Sequence, residues 1–256
     1  MTARCDPSDV DVVVLCGGRG SRLGPLTERV PKPLLPVGEH PFLLHQLMRL
    51  QHEGFRRFIL AAGYLSKQFE EFARTWREAA PGMEVVIEPK PLGTGGGLRL
   101  AAERVRSERF VALNGDSVLD EPITPVLATH CEASRAMTLM AVRAARVVGG
   151  AAQKAICHLG AQDALLGFET VGHEAEGWIN GGVYIIERAM ALSWPVGAYS
   201  VESEMMWLVA GWRVGVWRSQ GQLLDIGTPD CYAQAAEILG RSALEHSEPI
   251  AARSRA

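Results

Sequence analysis

The chain has 256 residues, 47% of them hydrophobic and 21% charged, with a formal net charge of −3. That is enough apolar material for one large α/β domain or two small ones. The charge supplies no basic field for nucleic acid, no apolar run reaches the length of a membrane span, and residues 1–9 do not form a signal peptide. We therefore expect no nucleic-acid or membrane partner and a cytoplasmic location. The cysteines, Cys5, Cys16, Cys131, Cys157 and Cys231, are odd in number and irregularly spaced, which predicts reduced thiols rather than a disulfide framework. His130-Cys131 and Cys157-His158 lack zinc-site spacing.

Residues 1–9 are polar and read as a flexible N-terminus. Val12–Leu15 is an apolar, β-branched run that predicts a buried strand, and it ends in Gly17-Gly18-Arg19-Gly20-Ser21-Arg22-Leu23. Glycines there either make a tight strand-to-helix turn or let backbone amides approach an anion. Arg22 and Lys32 add two cations, the second held on a stiffened loop between Pro31 and Pro33. No Gly-Lys-Ser/Thr follows, as a P-loop requires, and Leu23 stands where a dinucleotide fold needs its third glycine.

Phe42, Leu43, Leu44, Leu47 and Leu50 recur at helical spacing, predicting a helix that ends near Gly54. A strand is expected over Phe58–Ala62, a helix around Phe69, Phe72 and Trp76, and another strand over Met83–Ile87. This alternation predicts right-handed crossovers and a largely parallel sheet. Glu88 precedes a second glycine loop, Gly93-Thr94-Gly95-Gly96-Gly97, before a helix over Leu98–Val105. That loop reads as a flexible turn or as bare amides set against a ligand.

Phe110–Asn114 predicts a strand that delivers Asp116 at its carboxyl end. Leu223-Leu224-Asp225 repeats the arrangement, with Thr228 and Pro229 opening a helix through Leu239. Ligands of open α/β sheets bind outside the carboxyl ends of the strands. A single Asp there is often a turn former, but two of them beside two glycine loops can share magnesium with substrate phosphates. Shorter strands are expected over Met137–Val142, Lys154–His158 and Leu165–Glu169. Trp178–Ile186 reads as a strand interrupted by Asn180-Gly181-Gly182, which marks a bulge or a close approach. Tyr199–Glu204, with Ser200 and Glu202 as helix entry or sugar contacts, leads toward an apolar helix through Val209. Trp212–Trp217 is the last predicted strand before Asp225.

The first glycine run, with Pro25-Leu26-Thr27 and Pro31-Lys32-Pro33-Leu34-Leu35-Pro36-Val37 after it, strongly resembles the signature of the sugar-1-phosphate nucleotidyltransferases. With gaps, the resemblance continues to about Leu239. It implies one Rossmann-like three-layer α/β domain over 10–240, with a mainly parallel mixed sheet. Its nucleotide half would cover roughly 10–120 and a small sugar-side lobe roughly 121–240, leaving 241–256 as a C-terminal tail. The implied reaction moves a nucleotidyl group from an NTP to a sugar 1-phosphate, releasing pyrophosphate, with Mg2+ on Asp116 and Asp225. Arg22, Lys32, Asp116 and Asp225 would form the catalytic set. Leu15, Gly17, Gly18, Gly20, Glu88, Gly93, Thr94 and Gly95 would hold the nucleotide. Asn114, Glu169, Asn180, Gly181 and Lys154 would meet the sugar phosphate.

One departure stands out. Many relatives carry a lysine after Phe-x-Glu, whereas this chain reads Phe168-Glu169-Thr170, so the phosphate would be met by Lys154 or Arg143. Leu15–Gly18, Leu92–Gly96, Ile179–Tyr184 and Ser200-x-Glu202 look most like the guanylyltransferase branch acting on D-glycero-D-manno-heptose 1-phosphate. GTP and that heptose are thus the expected substrates, and Glu88 could read the ring N–H and exocyclic amine of guanine. The alternatives are UTP with N-acetylmuramate 1-phosphate or another hexose 1-phosphate, and a non-catalytic nucleotide-sugar sensor. A homo-oligomer stays open.

Overall fold

The computed structural model describes residues 5–133, 135–149, 155–170, 176–204 and 214–245. From β1 (Asp11–Cys16) the chain passes through 3-10 turns to a small hairpin, β2 (Pro36–Val37) and β3 (His40–Pro41). There follow α1 (Phe42–His52), β4 (Arg57–Ala62), α2 (Lys67–Thr75), β5 (Met83–Ile87) and α3 (Gly93–Ala101). Next come β6 (Arg109–Asn114), β7 (Ser117–Leu119), α4 (Thr124–Ala133), β8 (Met137–Arg143) and β9 (Val147–Val148). β10 (Ala155–Leu159), β11 (Leu165–Thr170), β12 (Trp178–Glu187), α5 (Arg188–Ser193) and α6 (Val201–Glu204) continue the second half. β13 (Val214–Ser219), β14 (Leu223–Asp225) and a final helix, Pro229–Glu245, complete it.

Among the described residues the main sheet has nine strands, ordered β11-β10-β12-β6-β1-β4-β5, with β8 on β12 and β13 on β8. β6, β1, β4 and β5 run parallel, and β12 lies antiparallel on β6. Alternation along β1 and β4 sends Val12, Val14, Phe58 and Leu60 to the face covered by α1, α2 and α4. Val13, Ile59 and Ala61 face the opposite way, onto α3 and α5. The result is a three-layer α/β domain. Leu43, Leu44, Leu47 and Leu50 of α1 are all buried, each contributing about 2 kcal/mol of transfer free energy.

A second sheet, ordered β7-β14-β9, sets Asp225 directly opposite Ser117. Two carboxylates 109 positions apart in sequence, Asp116 and Asp225, thereby reach one place.

The structure departs from the sequence reading at several points. α3 starts at Gly93 rather than Leu98, so its glycines are already helical. α4 was not expected, because it buries only Val126, Leu127 and His130 and shows little amphipathic pattern. Its N-terminus is held from a distance by Glu53 Oε2, which accepts from the amides of Ile123 (2.6 Å) and Thr124 (3.1 Å). The final helix runs on to Glu245, past Gly240. The expected helix through Val209 lies outside the described residues, as does Lys154. No helix among the described residues is long and apolar enough to cross a membrane.

The cysteine expectation is corrected as well. Cys5 and Cys131 form a disulfide across a sequence separation of 126, while Cys16, Cys157 and Cys231 are free and buried. Spacing alone could not show this pair, since only the packing of α4 beside the N-terminal segment brings it together. Closing so long a loop removes much entropy from the unfolded chain, worth about 2–4 kcal/mol in typical cases. Reduction with a dithiol should therefore lower Tm by about 5–15 °C at this size. A scan with and without reductant checks this, and equal midpoints would show that the bond contributes no stability.

Candidate active site

The site sits at the carboxyl ends of β1, β4 and β6, where loops rather than strands supply the surface. β1 ends at Cys16, and the main chain then passes Gly17 and Gly18. A Cβ on Gly17 would lie 2.6 Å from Glu88 Oε1, so only glycine leaves room for that carboxylate. Gly20 takes a left-handed φ of +67°, and the Thr27 hydroxyl donates to its carbonyl at 3.1 Å. This closes the loop and lets Lys32 pass beneath it.

Two adjoining cavities open here. The smaller, about 230 Å³, is lined by Leu15, Gly18, Gly20, Arg22, Lys32 and Asp116 among others. The larger, about 660 Å³, shares Leu15, Gly18 and Asp116 with it and adds Gly17, Glu88, Gly93, Thr94 and Asn114. Both glycine loops and three of the four expected catalytic residues thus border one continuous region. Asp225 joins them through Lys32, whose Nζ lies 2.7 Å from Asp116 Oδ2 and 3.3 Å from Asp225 Oδ1. Lys32 and Asp225 are nearly covered, with side chains 6% and 11% exposed, while Asp116 is 39% exposed and faces the cavities. A Cβ on Gly227 would come within 3.0 Å of Asp225 Oδ1 and 3.3 Å of Arg22 Nη2, so this glycine keeps open the space they flank.

Glu88 is buried and accepts a hydrogen bond from the Leu92 amide at 3.1 Å. Burial pushes its carboxyl above the usual range, with the Leu92 bond pulling the other way. Burial, with Asp116 and Glu88 nearby, raises the Cys16 thiol well above its ordinary value, which leaves it a poor nucleophile.

The second glycine loop does something the sequence did not suggest. The Gly95 amide donates to Tyr199 O at 3.0 Å, and a Cβ there would collide with the Tyr199 ring. A Cβ on Gly96 would meet the carbonyl of Gly197. Those glycines are cut to fit the 197–199 segment, and they do not line the cavities. The Thr94 hydroxyl donates to Glu202 Oε2 (3.2 Å) and accepts from the Val201 amide (2.9 Å).

Glu202, left open between helix entry and sugar contact, is at the centre of a polar cluster. Its Oε1 accepts from Asn180 Nδ2 at 3.1 Å and from the Tyr184 hydroxyl at 3.2 Å. Asn180 also donates to Tyr184 Oη at 2.7 Å and accepts from the Gly182 amide at 2.9 Å. Burial and the Glu202 charge push the Tyr184 phenol well above its ordinary value, so it stays a neutral donor. Gly181 fits tightly against Met140, since a Cβ would stand 2.7 Å from that carbonyl. Glu169 is exposed on β11, paired with His158 at 3.2 Å, and lines neither cavity. Arg143 stacks on the Trp178 ring at 4.5 Å. Sequence reasoning missed Tyr64 and Arg19, which border the larger cavity and meet in a cation–π contact of 5.7 Å.

The donor set suits a hard divalent cation. Two carboxylates converge on one ammonium beside a cavity large enough for phosphates, and magnesium is commonly held by one or two carboxylates plus substrate oxygens. Among the described residues, no group of three His, Cys, Asp or Glu side chains forms a complete metal cage. A metal here would need the substrate as partner.

Fold and site together define a three-layer α/β protein with glycine-lined, charged cavities at the carboxyl ends of its strands. The comparisons make the family specific: residues 11–149 match the model of the nucleotidyl transferase family, and the chain belongs to that family. A mannose-1-phosphate guanylyltransferase of Mycobacterium tuberculosis is 32% identical over 237 residues, covering 91% of this chain and 65% of its own. A D-glycero-alpha-D-manno-heptose 1-phosphate guanylyltransferase of Aneurinibacillus thermoaerophilus is 27% identical over 236 residues, covering 90% and 98%. The crystal structure of HddC from Yersinia pseudotuberculosis superposes with a TM-score of 0.79 at 23% identity, over 90% of this chain and 99% of that one. That likeness shows the fold. The chain spans somewhat less than two thirds of the length of the mycobacterial relative.

Proposed function

We propose that the protein transfers a guanylyl group from GTP to a sugar 1-phosphate, best D-glycero-D-manno-heptose 1-phosphate, and releases pyrophosphate. The observation that carries this reading is the convergence of Asp116 and Asp225 on Lys32 at the edge of a glycine-lined cavity. Both substrates are anions, so catalysis reduces to holding them in line and compensating charge. The acceptor's phosphate oxygen is already a nucleophile and needs no Ser, Cys or His to activate it. Asp116 and Asp225 would hold the magnesium, which supplies Lewis-acid polarisation of the α-phosphate when bound. Arg22 and Lys32 stabilise the triphosphate as charge moves onto the leaving pyrophosphate. Leu15, Gly17, Gly18 and Gly20 shape the phosphate approach, and Gly93 and Thr94 border the base. Gly95 acts indirectly, by seating this loop on Tyr199. On the acceptor side, Asn114 faces the larger cavity, with Asn180, Gly181 and Glu202 as the scaffold for sugar hydroxyls. Glu169 and Lys154 remain candidates for the outer end of the acceptor.

The base choice rests on Glu88, a carboxylate at the larger cavity where guanine would present two N–H groups. Both relatives described above are named as guanylyltransferases, which favours the same donor. Only the ionised carboxylate accepts from both, and its pKa is raised. GTP affinity should therefore weaken as pH falls through a point above the ordinary carboxylate range. Glu88→Gln should erode the preference for GTP over UTP by about tenfold or more and flatten that pH dependence. Calorimetric titration of GTP and of UTP across pH checks both, and a pH-independent GTP affinity in the parent protein would remove Glu88 from base reading.

The test of the whole proposal is pyrophosphate release with GTP, UTP, CTP and dTTP against a panel of sugar 1-phosphates. Fastest release with GTP and the manno-heptose is the expected result. Faster release with UTP and N-acetylmuramate 1-phosphate would overturn the substrates and keep the reaction. Tight nucleotide-sugar binding without any release would make the protein a sensor.

A further inference from the structure

α1 and its C-terminal cap send three polar side chains along one face, Gln46, Arg49 and the cap residue Glu53, three and four positions apart. All three end on the main chain of one downstream segment. Gln46 Nε2 donates to the carbonyls of Asn114 (3.0 Å) and Ser117. Arg49 donates to the carbonyls of Leu119 and Glu121, and Glu53 accepts from Ile123 and Thr124 as described above. Gln46 differs from the others in what lies between its two partners: Gly115 and Asp116.

Both partners of Gln46 are carbonyl oxygens, so chemistry alone requires the nitrogen end of the amide to face them. The other end tells more. Gln46 is 6% exposed, and its buried Oε1 has no hydrogen-bond partner among the described residues. An apolar side chain of the same size would avoid that uncompensated acceptor, so the position favours an amide only for its two donors. Other contacts fix where the turn lies. The Gly115 amide donates to Leu15 O (2.9 Å), and the Ile226 amide donates to Asp116 O (3.1 Å). Gln46 alone of these spans the turn and sets the separation of its two ends.

We propose that Gln46 is a positioning residue for nucleotidyl transfer. It staples residues 114 and 117 together so that Asp116 presents its carboxylate to Lys32 and to the divalent cation of the nucleotide complex. This rests on the function proposed above.

Gln46→Met keeps the volume and removes both donors. Mn2+ binding, followed by electron paramagnetic resonance with a non-hydrolysable GTP analogue present, is expected to weaken about tenfold, the scale for losing a group that orients a metal ligand. The Mg2+ concentration for half-maximal activity should rise in parallel, with kcat lower and KM for the sugar 1-phosphate little changed. A purely structural role would instead lower Tm and leave Mn2+ affinity alone. Should Gln46→Met fail to fold, Gln46→Asn retains the amide but is too short to reach both carbonyls, and the same weakening is expected. Parental Mn2+ affinity and Mg2+ dependence in a folded variant of either kind would overturn the proposal. A parent protein that releases no pyrophosphate with any substrate pair would overturn the transferase reading instead.

Discussion

Asp225→Asn is expected to lower turnover by about a hundredfold or more, the scale of losing one preorganised electrostatic contact at a transition state. The structure explains why the fold should survive. Lys32, almost wholly covered, keeps its 2.7 Å partner Asp116, so the substitution does not strand a buried charge. Asp116→Asn removes the shorter of the two contacts and should be at least as damaging to rate. Excess Mg2+ should recover part of the activity in each variant, because a weakened metal site still fills at high concentration. Steady-state kinetics across a magnesium series, with circular dichroism as the fold control, decide the matter. Either variant at full activity would remove its carboxylate from the mechanism.

The second large effect concerns Arg22. It lines the smaller cavity from the exposed first turn of a 3-10 helix, Ser21–Thr27, and flanks, with Asp225, the space kept clear by Gly227. Arg22→Ala should reduce kcat at saturating GTP by about two to three orders of magnitude, as for other transition-state donors. Arg22→Lys should rescue poorly, because a point charge does not replace a planar fork on phosphate oxygens. The distinction lies in kcat rather than KM, since an interaction made mainly in the transition state lowers turnover at saturation. Normal kinetics in Arg22→Lys would mean that charge alone suffices.

Much of this could be read from the chain, for identifiable reasons. The strands Val12–Leu15, Phe58–Ala62 and Phe110–Asn114 are apolar on both faces, because helices cover the sheet on both sides. Asp116 and the glycine run follow such strands directly, so their place at the carboxyl edge needed no tertiary information. Asp225 was legible as a carboxylate ending an apolar run, but its strand, β14, belongs to the second sheet and not, as the sequence implied, to the same sheet as β6. Other features were not. Lys32 as a bridge between Asp116 and Asp225 depends on β14 pairing with β7, a contact between distant segments. The disulfide depends on where α4 comes to rest. Gly95 and Gly96 looked like ligand-facing glycines because a sequence cannot tell a bare amide turned toward a ligand from one packed against Tyr199 and Gly197. Gln46 gave no signal at all, being one of several polar residues on an amphipathic helix. Only the two carbonyls it meets give it meaning.

The fit of the second glycine loop to residues 197–202 also limits how the protein can be re-engineered. Gly95 and Gly96 match Tyr199 and Gly197 in shape, and Thr94 exchanges hydrogen bonds with Val201 and Glu202. Glu202 in turn orders Asn180 and Tyr184. A chimera that imports only residues 88–97 from a relative, to change the donor nucleotide, would inherit a mismatched seam and disturb the acceptor side with it. The transplantable unit is therefore discontinuous: the loop and the 197–202 segment have to travel as a pair. On the function proposed above, donor and acceptor preference would for the same reason be hard to alter one at a time.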